Sequence, residues 1–133
     1  MNEPETIAAI LKMKTIAVVG LSDNPERPSF RVAKYLAEHS YEIIPVNPAI
    51  SEWLGRKSYP DVLSVPQKID VVDVFRKPEA VPEIAELAIE VGAKALWLQE
   101  GVVHDEAAKK AESAGLLVVM DRCLMKEREK AQQ

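Results

Sequence analysis

A doubly wound α/β sheet of parallel strands, with helices on both faces, is the architecture this sequence predicts. Five short apolar runs alternate with segments of helical spacing. The runs are largely continuous in hydrophobicity instead of alternating with polar residues, as parallel strands covered on both faces require. The first run ends in a glycine, followed by a proline-braced loop and a new helical pattern. In such folds that strand–turn–helix corner receives ligands.

The elements follow in order. A helix is expected near 5–12, within an N-terminal segment 1–12, and the first strand over 15–19. Gly20 opens the turn, and Ser29 reads as the N-cap of a helix on which Phe30, Ala33, Leu36 and Ala37 share one face. The second strand covers 42–46. The stretch 49–66 carries Gly55, Pro60 and Pro66, and reads as a long connection with one helical turn near 59–63. The third strand is expected over 71–75. Val81, Ile84, Ala85, Ala88 and Val91 then form a helical face that stops at Gly92. After a strand at 95–98, Ala107, Ala108, Ala111 and Ala114 give a small-residue face suited to close packing, stopped by Gly115. A last strand at 116–120 precedes a polar tail, 125–133. Right-handed crossovers would wind these strands in the order 3-2-1-4-5, the first strand central, as a single Rossmann-like domain over 1–133.

Composition narrows the function. The chain has 133 residues, 47% hydrophobic and 29% charged, enough for one covered core. A net charge of −4 argues against general nucleic-acid binding, and no apolar run approaches a membrane span. The N-terminus lacks the basic and apolar regions of a signal peptide, and Cys123 is the single cysteine. Both suit a reducing, cytoplasmic location. Two histidines and one cysteine at wide spacing make no metal signature.

The ligand corner departs from the dinucleotide pattern. That pattern needs three glycines and an acid after the second strand. Here Gly20 is followed by Ser22 and Pro25, and the second strand ends in Asn47-Pro48. An asparagine can hydrogen-bond an adenine or ribose without repelling a neighbouring phosphate. Arg27, Arg31 and Lys34 lie on or after the loop, where phosphates can meet them or where they form an ordinary solvated helix face.

Five motifs in register resemble the small bacterial and archaeal CoA-binding proteins. They are Val18-Val-Gly20-Leu-Ser22, Pro28-Ser29-Phe-Arg31-Val-Ala-Lys-Tyr-Leu, Tyr41-Glu-Ile-Ile-Pro-Val-Asn47-Pro48, Val72-Asp-Val-Phe75-Arg76 and the later Trp97-Leu-Gln99-Glu-Gly101 with Asp121-Arg122-Cys123. The same fold forms the CoA-binding domain of the succinyl-CoA synthetase α subunit and of ADP-forming acyl-CoA synthetases. The resemblance implies that coenzyme A or an acyl-CoA is the ligand. Its pyrophosphate would meet Gly20, Leu21 and Ser22 and the helix start at Ser29, Phe30, Arg31 and Val32. Arg31 or Lys34 would be available to the ribose phosphate, and Asn47 and Pro48 would border the adenine and ribose. Phe75, Arg76 and Lys77 would close the opposite wall. In the synthetases the phosphorylated histidine lies in a further domain, before which this chain ends, so the resemblance implies a non-catalytic or accessory module.

Two other functions stand beside it: an NAD(P)- or acyl-CoA-dependent enzyme, and a subunit of a synthetase-like complex. Asp73, Glu100, Asp121 and His104 are the acid–base candidates for the first, although Asp73 also fits a structural acceptor and His104 a helix cap. His39 reads as a helix C-terminal partner, Trp97 as core, and Trp53 as packing on the sheet edge or at an interface. Cys123 carries two readings, a buried inert thiol or a redox thiol that Arg122 activates toward the thiol of CoA.

Overall fold

The computed structural model describes residues 1–132; Gln133, the end of the polar tail, lies outside the described residues. Five parallel strands form the main sheet: β1 (Thr15–Val19), β2 (Glu42–Val46), β5 (Val71–Val74), β6 (Ala95–Leu98) and β7 (Leu117–Val119). The short strands β3 (Glu52–Trp53) and β4 (Arg56–Lys57) make a separate antiparallel hairpin. Successive strand residues point to opposite faces, and both faces are buried. Ala17, Ile44, Val72, Leu96 and Val118 belong to one apolar cluster, whereas Ile16, Ile43, Val71, Ala95 and Val119 belong to the other. That is why the runs read as continuous.

Helices cover the two faces. Helices α3 (Val81–Glu90) and α4 (Asp105–Ser113) lie on the first cluster through Val81, Ala85, Ala88, Ala107, Ala108 and Ala111. Ala114 falls just past the end of α4 and is exposed. Helices α1 (Pro4–Leu11), α2 (Pro28–Glu38) and α5 (Leu124–Ala131) lie on the second cluster through Ile10, Val32, Ala33, Leu36 and Leu124. Most of the polar tail is therefore the helix α5. The connection 49–66 is the hairpin followed by a 3₁₀ turn at Val62–Ser64, not one helical turn near 59–63.

The strand order is β2-β1-β5-β6-β7, or 2-1-3-4-5 when the main strands are numbered along the chain, and not 3-2-1-4-5. Two features exclude the latter. Pro45 has no N–H for a second ladder, so β2 belongs at a sheet edge. The outer edge of β2 is already covered, because Tyr59 N–H donates to Pro45 O (3.1 Å) and Asn47 N–H donates to Tyr59 O (2.8 Å). The third strand instead takes the free edge of β1. There the Asp70 carboxylate accepts from the N–H groups of Lys14 (3.1 Å) and Thr15 (3.0 Å). The strand order therefore reverses between β1 and β5, where an open sheet leaves a crevice at its C-terminal edge.

Candidate functional site

Gly20 occupies that switch point for a steric reason. Its φ is +89°, and a Cβ there would stand 2.2 Å from the Phe75 carbonyl oxygen and 3.3 Å from Arg76 Nε. The ends of β1 and β5 thus touch backbone to backbone, and the Arg76 side chain lies against the turn. Gly20 N–H donates to Val46 O and Phe75 N–H to Val19 O, both at 2.8 Å, so three strand ends meet here.

The loop beyond Gly20 is braced from within. Ser22 N–H donates to Ser29 Oγ (3.0 Å), and Ser22 Oγ accepts from Asn24 N–H (3.0 Å). Arg31 Nη1 donates to Glu26 O at 2.7 Å, which folds the guanidinium back on the loop. Ser29 is therefore not the N-cap. Helix α2 starts at Pro28, with Arg27 in the cap position making no side-chain cap, and the buried Ser29 hydroxyl staples the glycine turn to the helix. Proline suits that first helical position because its missing N–H would have had no partner. Among the described residues the backbone N–H groups of Leu21, Asp23 and Ser29 meet no acceptor. Donors and a helix N-terminus at one corner suit an anion.

Asn47 clamps the second wall. Its Nδ2 donates to Leu21 O (3.0 Å) and its Oδ1 accepts from Ala49 N–H (2.9 Å). An aspartate would set a carboxylate oxygen against the Leu21 carbonyl, so the missing acid also has a local explanation. Pro48 beside it is exposed. Across the crevice Phe75 is half-buried and Lys77 is exposed just before a 3₁₀ turn at Pro78–Ala80. Leu21 and Val32 are buried in the core, while Phe30 packs edge-on against Trp53, ring centroids 5.6 Å apart. Arg27 and Lys34 are exposed, Lys34 well along α2.

The acid–base candidates are engaged elsewhere. Asp121 Oδ1 accepts from Gly101 N–H (2.8 Å), Glu100 pairs with Lys126 (3.0 Å), and His104 caps α4 by accepting from Ala107 N–H (3.1 Å). Asp73 lies fully buried between Val18 and Trp97 in the sheet. One oxygen accepts from Gln99 Nε2 (2.7 Å) and the other has no partner. Burial pushes its carboxyl up to about 7, against the opposing pull of the Gln99 hydrogen bond. Trp97 is core, its indole N–H donating to Arg122 O (2.8 Å), and His39 Nδ1 meets Tyr35 O (2.6 Å) at the end of α2.

Cys123 takes the N-cap position just before α5 and is buried. Burial raises its pKa, the N–H groups of Lys126 and Met125 act in the opposite direction, and the Glu100 and Asp73 carboxylates add to the rise. Of the two readings of Cys123, these influences favour the buried inert thiol over the one that Arg122 activates. The Arg122 guanidinium donates to Asp121 O instead.

A cavity of about 370 Å³ lies at the opposite end of the sheet, lined by Leu11, Lys12, His39, Tyr41 and Arg128 among others. Helices α1, α2 and α5 end there. The carbonyl ends of those helices disfavour an anion, so the cavity is not the counterpart of the Gly20 corner. No group of residues with metal-ligand potential occurs among the described residues, and no helix is long and apolar enough to cross a membrane.

The strand order, the glycine at the switch point and the open donors beside it define an α/β domain of the nucleotide-binding kind. The chain belongs to the CoA-binding domain family, whose model matches residues 14–129. It is 44% identical over 123 residues to the uncharacterized protein YneT of Bacillus subtilis, covering 92% of this chain and 91% of that one. A solved hypothetical protein from Pyrococcus horikoshii is 50% identical with a TM-score of 0.93, covering 97% of this chain and 92% of the other. A Thermus thermophilus structure is 37% identical with a TM-score of 0.90, covering 98% of each. The chain also matches acetate–CoA ligase (ADP-forming) II of Archaeoglobus fulgidus, 29% identical over 101 residues, covering 74% of this chain but only 15% of the ligase. It is thus related to the CoA-binding part of much longer enzymes, as its motifs imply.

Proposed function

We propose that the chain holds coenzyme A, or an acyl-CoA, in the crevice between the C-terminal ends of β1 and β5, as an accessory module without its own chemistry. The observation that carries this reading is the Gly20 corner. Backbone touches backbone, Arg76 lies against the turn, and the Leu21, Asp23 and Ser29 N–H groups have no protein acceptor. A pyrophosphate would meet those donors and the dipole of α2, and Arg76 would approach from the β5 side. Arg31 would act chiefly as a loop brace, given its bond to Glu26. The non-catalytic part draws support from Glu100, Asp121 and His104, each tied to a structural partner, and from Asp73, sealed in the sheet.

Calorimetric titration of the intact chain with CoA, dephospho-CoA and NAD tests the ligand. The expected result is saturable CoA binding, weaker dephospho-CoA binding and no NAD binding. Preference for NAD, or no binding of CoA, overturns it. A second reading, docking on a separate catalytic subunit, is favoured by the match to a small part of a longer ligase. Recovery of the tagged chain from native lysate with an acyl-CoA-forming enzyme would support it, and recovery alone would count against it.

A further inference from the structure

The β3–β4 hairpin lies outside the crevice residues that the sequence motifs mark, yet it is firmly attached to them. Ser58 is buried, donates through Oγ to Asn47 O (3.0 Å) and accepts there from Asn47 N–H (3.2 Å). Its own N–H donates to Ser51 O (2.9 Å), which closes the hairpin base. Trp53 is 1% exposed and packs on Phe30, in the first turn of α2. The hairpin is therefore pinned at the end of β2 and at the start of α2.

Its turn is formed by Leu54 and Gly55, with φ of +47° and +79°, the pattern of a tight hairpin turn. Strand alternation then sends Arg56 and Lys57 to opposite faces. The Arg56 guanidinium carbon sits 5.5 Å from the centre of the Trp53 ring, while Lys57 Nζ sits 5.3 Å from that of Tyr59. Among the described residues neither forms an ion pair. The Trp53 indole N–H is buried and has no acceptor. A buried donor without a partner is costly to keep. Next to it, an arginine resting on an aromatic face keeps its fork of donors free for a phosphate.

We propose that Arg56, on its Trp53 platform beside the first turn of α2, binds the phosphate monoester of CoA and thereby sets the preference for CoA over dephospho-CoA. This rests on the reading that CoA is the ligand. The pyrophosphate stays at the Gly20 turn, and the hairpin holds the further phosphate that a plain dinucleotide lacks. Lys57, on the other face, does not take part.

The test is titration of CoA and dephospho-CoA into the intact wild-type chain and into Arg56→Gln, Arg56→Lys and Lys57→Gln. Arg56→Gln should weaken CoA binding about tenfold and leave dephospho-CoA binding unchanged, the loss of roughly one charge-assisted contact. Arg56→Lys should fall between, since a point charge replaces a fork, and Lys57→Gln should match wild type. Equal losses for both ligands in Arg56→Gln, or no loss for either, overturn the assignment, as does equal affinity of the wild type for the two ligands. Failure of the wild type to bind CoA at all is a separate result, which removes the ligand reading and this assignment with it. The ratio of the two affinities within each variant is independent of how much of the sample is folded.

Discussion

Two aspartates three residues apart, Asp70 and Asp73, sit toward opposite ends of the sheet and live under opposite rules. Asp70 precedes β5 at the N-terminal edge. Burial acts to raise its pKa but is outweighed by the N–H groups of Thr15 and Lys14 and by Lys94, so the carboxylate is held below its usual range. Asp73 lies toward the crevice, with one bond and one oxygen without a partner, and burial raises it to about 7. The contrast extends to the surroundings. At the N-terminal edge Tyr41 donates to Leu11 O, beside a cavity lined by Lys12, His39 and Arg128, and the strand starts find their acceptors within the chain. At the C-terminal edge Leu21, Asp23 and Ser29 keep open donors, and Arg76 lies against the turn without an ion pair among the described residues. One end of this sheet is finished from within, and the other, where strand order reverses, is the end at which open α/β sheets take ligands.

The sharpest way to break this contrast is Gly20→Ala. A Cβ 2.2 Å from the Phe75 carbonyl, at φ +89°, must separate β1 from β5. A loss of about 3–4 kcal/mol in urea unfolding is expected, together with loss of CoA binding. A variant as stable as wild type would mean that the corner yields without cost.

Next in size is Asp73→Asn. The folded pKa of about 7 lies above the unfolded value of 3.8, so the protonated form stabilises the fold at low pH and that contribution fades as pH rises toward 7. Thermal melts should show the variant about as stable as wild type near pH 5 and about 2–3 kcal/mol more stable at pH 8. No divergence between the two curves would show that Asp73 is ionised in place. Asp70→Asn should behave in the opposite sense. Its folded pKa is depressed, so its contribution is present above pH 4 and fades as pH falls. Weakening the bonds to Lys14 and Thr15 should cost about 1–2 kcal/mol at pH 7 while leaving CoA affinity unchanged. A large drop in affinity would mean that the two ends are coupled through β5.

The smallest effect belongs to Arg76→Gln, for which CoA affinity should fall about five- to tenfold with no change in melting temperature. If the melting temperature falls while affinity holds, Arg76 serves the β1–β5 contact and not the ligand.

Most of the fold was legible because apolar runs and helical faces are local patterns. Ala85, Ala88, Ala107, Ala108 and Ala111 pack as their spacing implies. The order 3-2-1-4-5 that the alternation suggests differs from the one adopted, although Pro45 points to the latter, since a proline inside a strand marks an edge. Within the site, Gly20 was readable, but the clash that requires it involves Phe75, more than fifty positions away. Ser29 matched a capping pattern because capping preferences report residue type, whereas its real partner, Ser22 N–H, is set by how the loop folds back. The hairpin is not legible because two-residue strands give too little periodicity to read, even though Leu54-Gly55 sits between polar and aromatic residues that pair across it.

The sequence by itself determined the class of fold, the parallel strands covered on both sides, the glycine corner and the CoA-binding family, because each of these is written in short-range patterns. Tertiary structure alone decided which of the polar residues are already engaged and which donors stay open. Those outcomes depend on the approach of groups distant in the chain, and hydrogen bonds and steric contact act on distance in space, not on position in sequence.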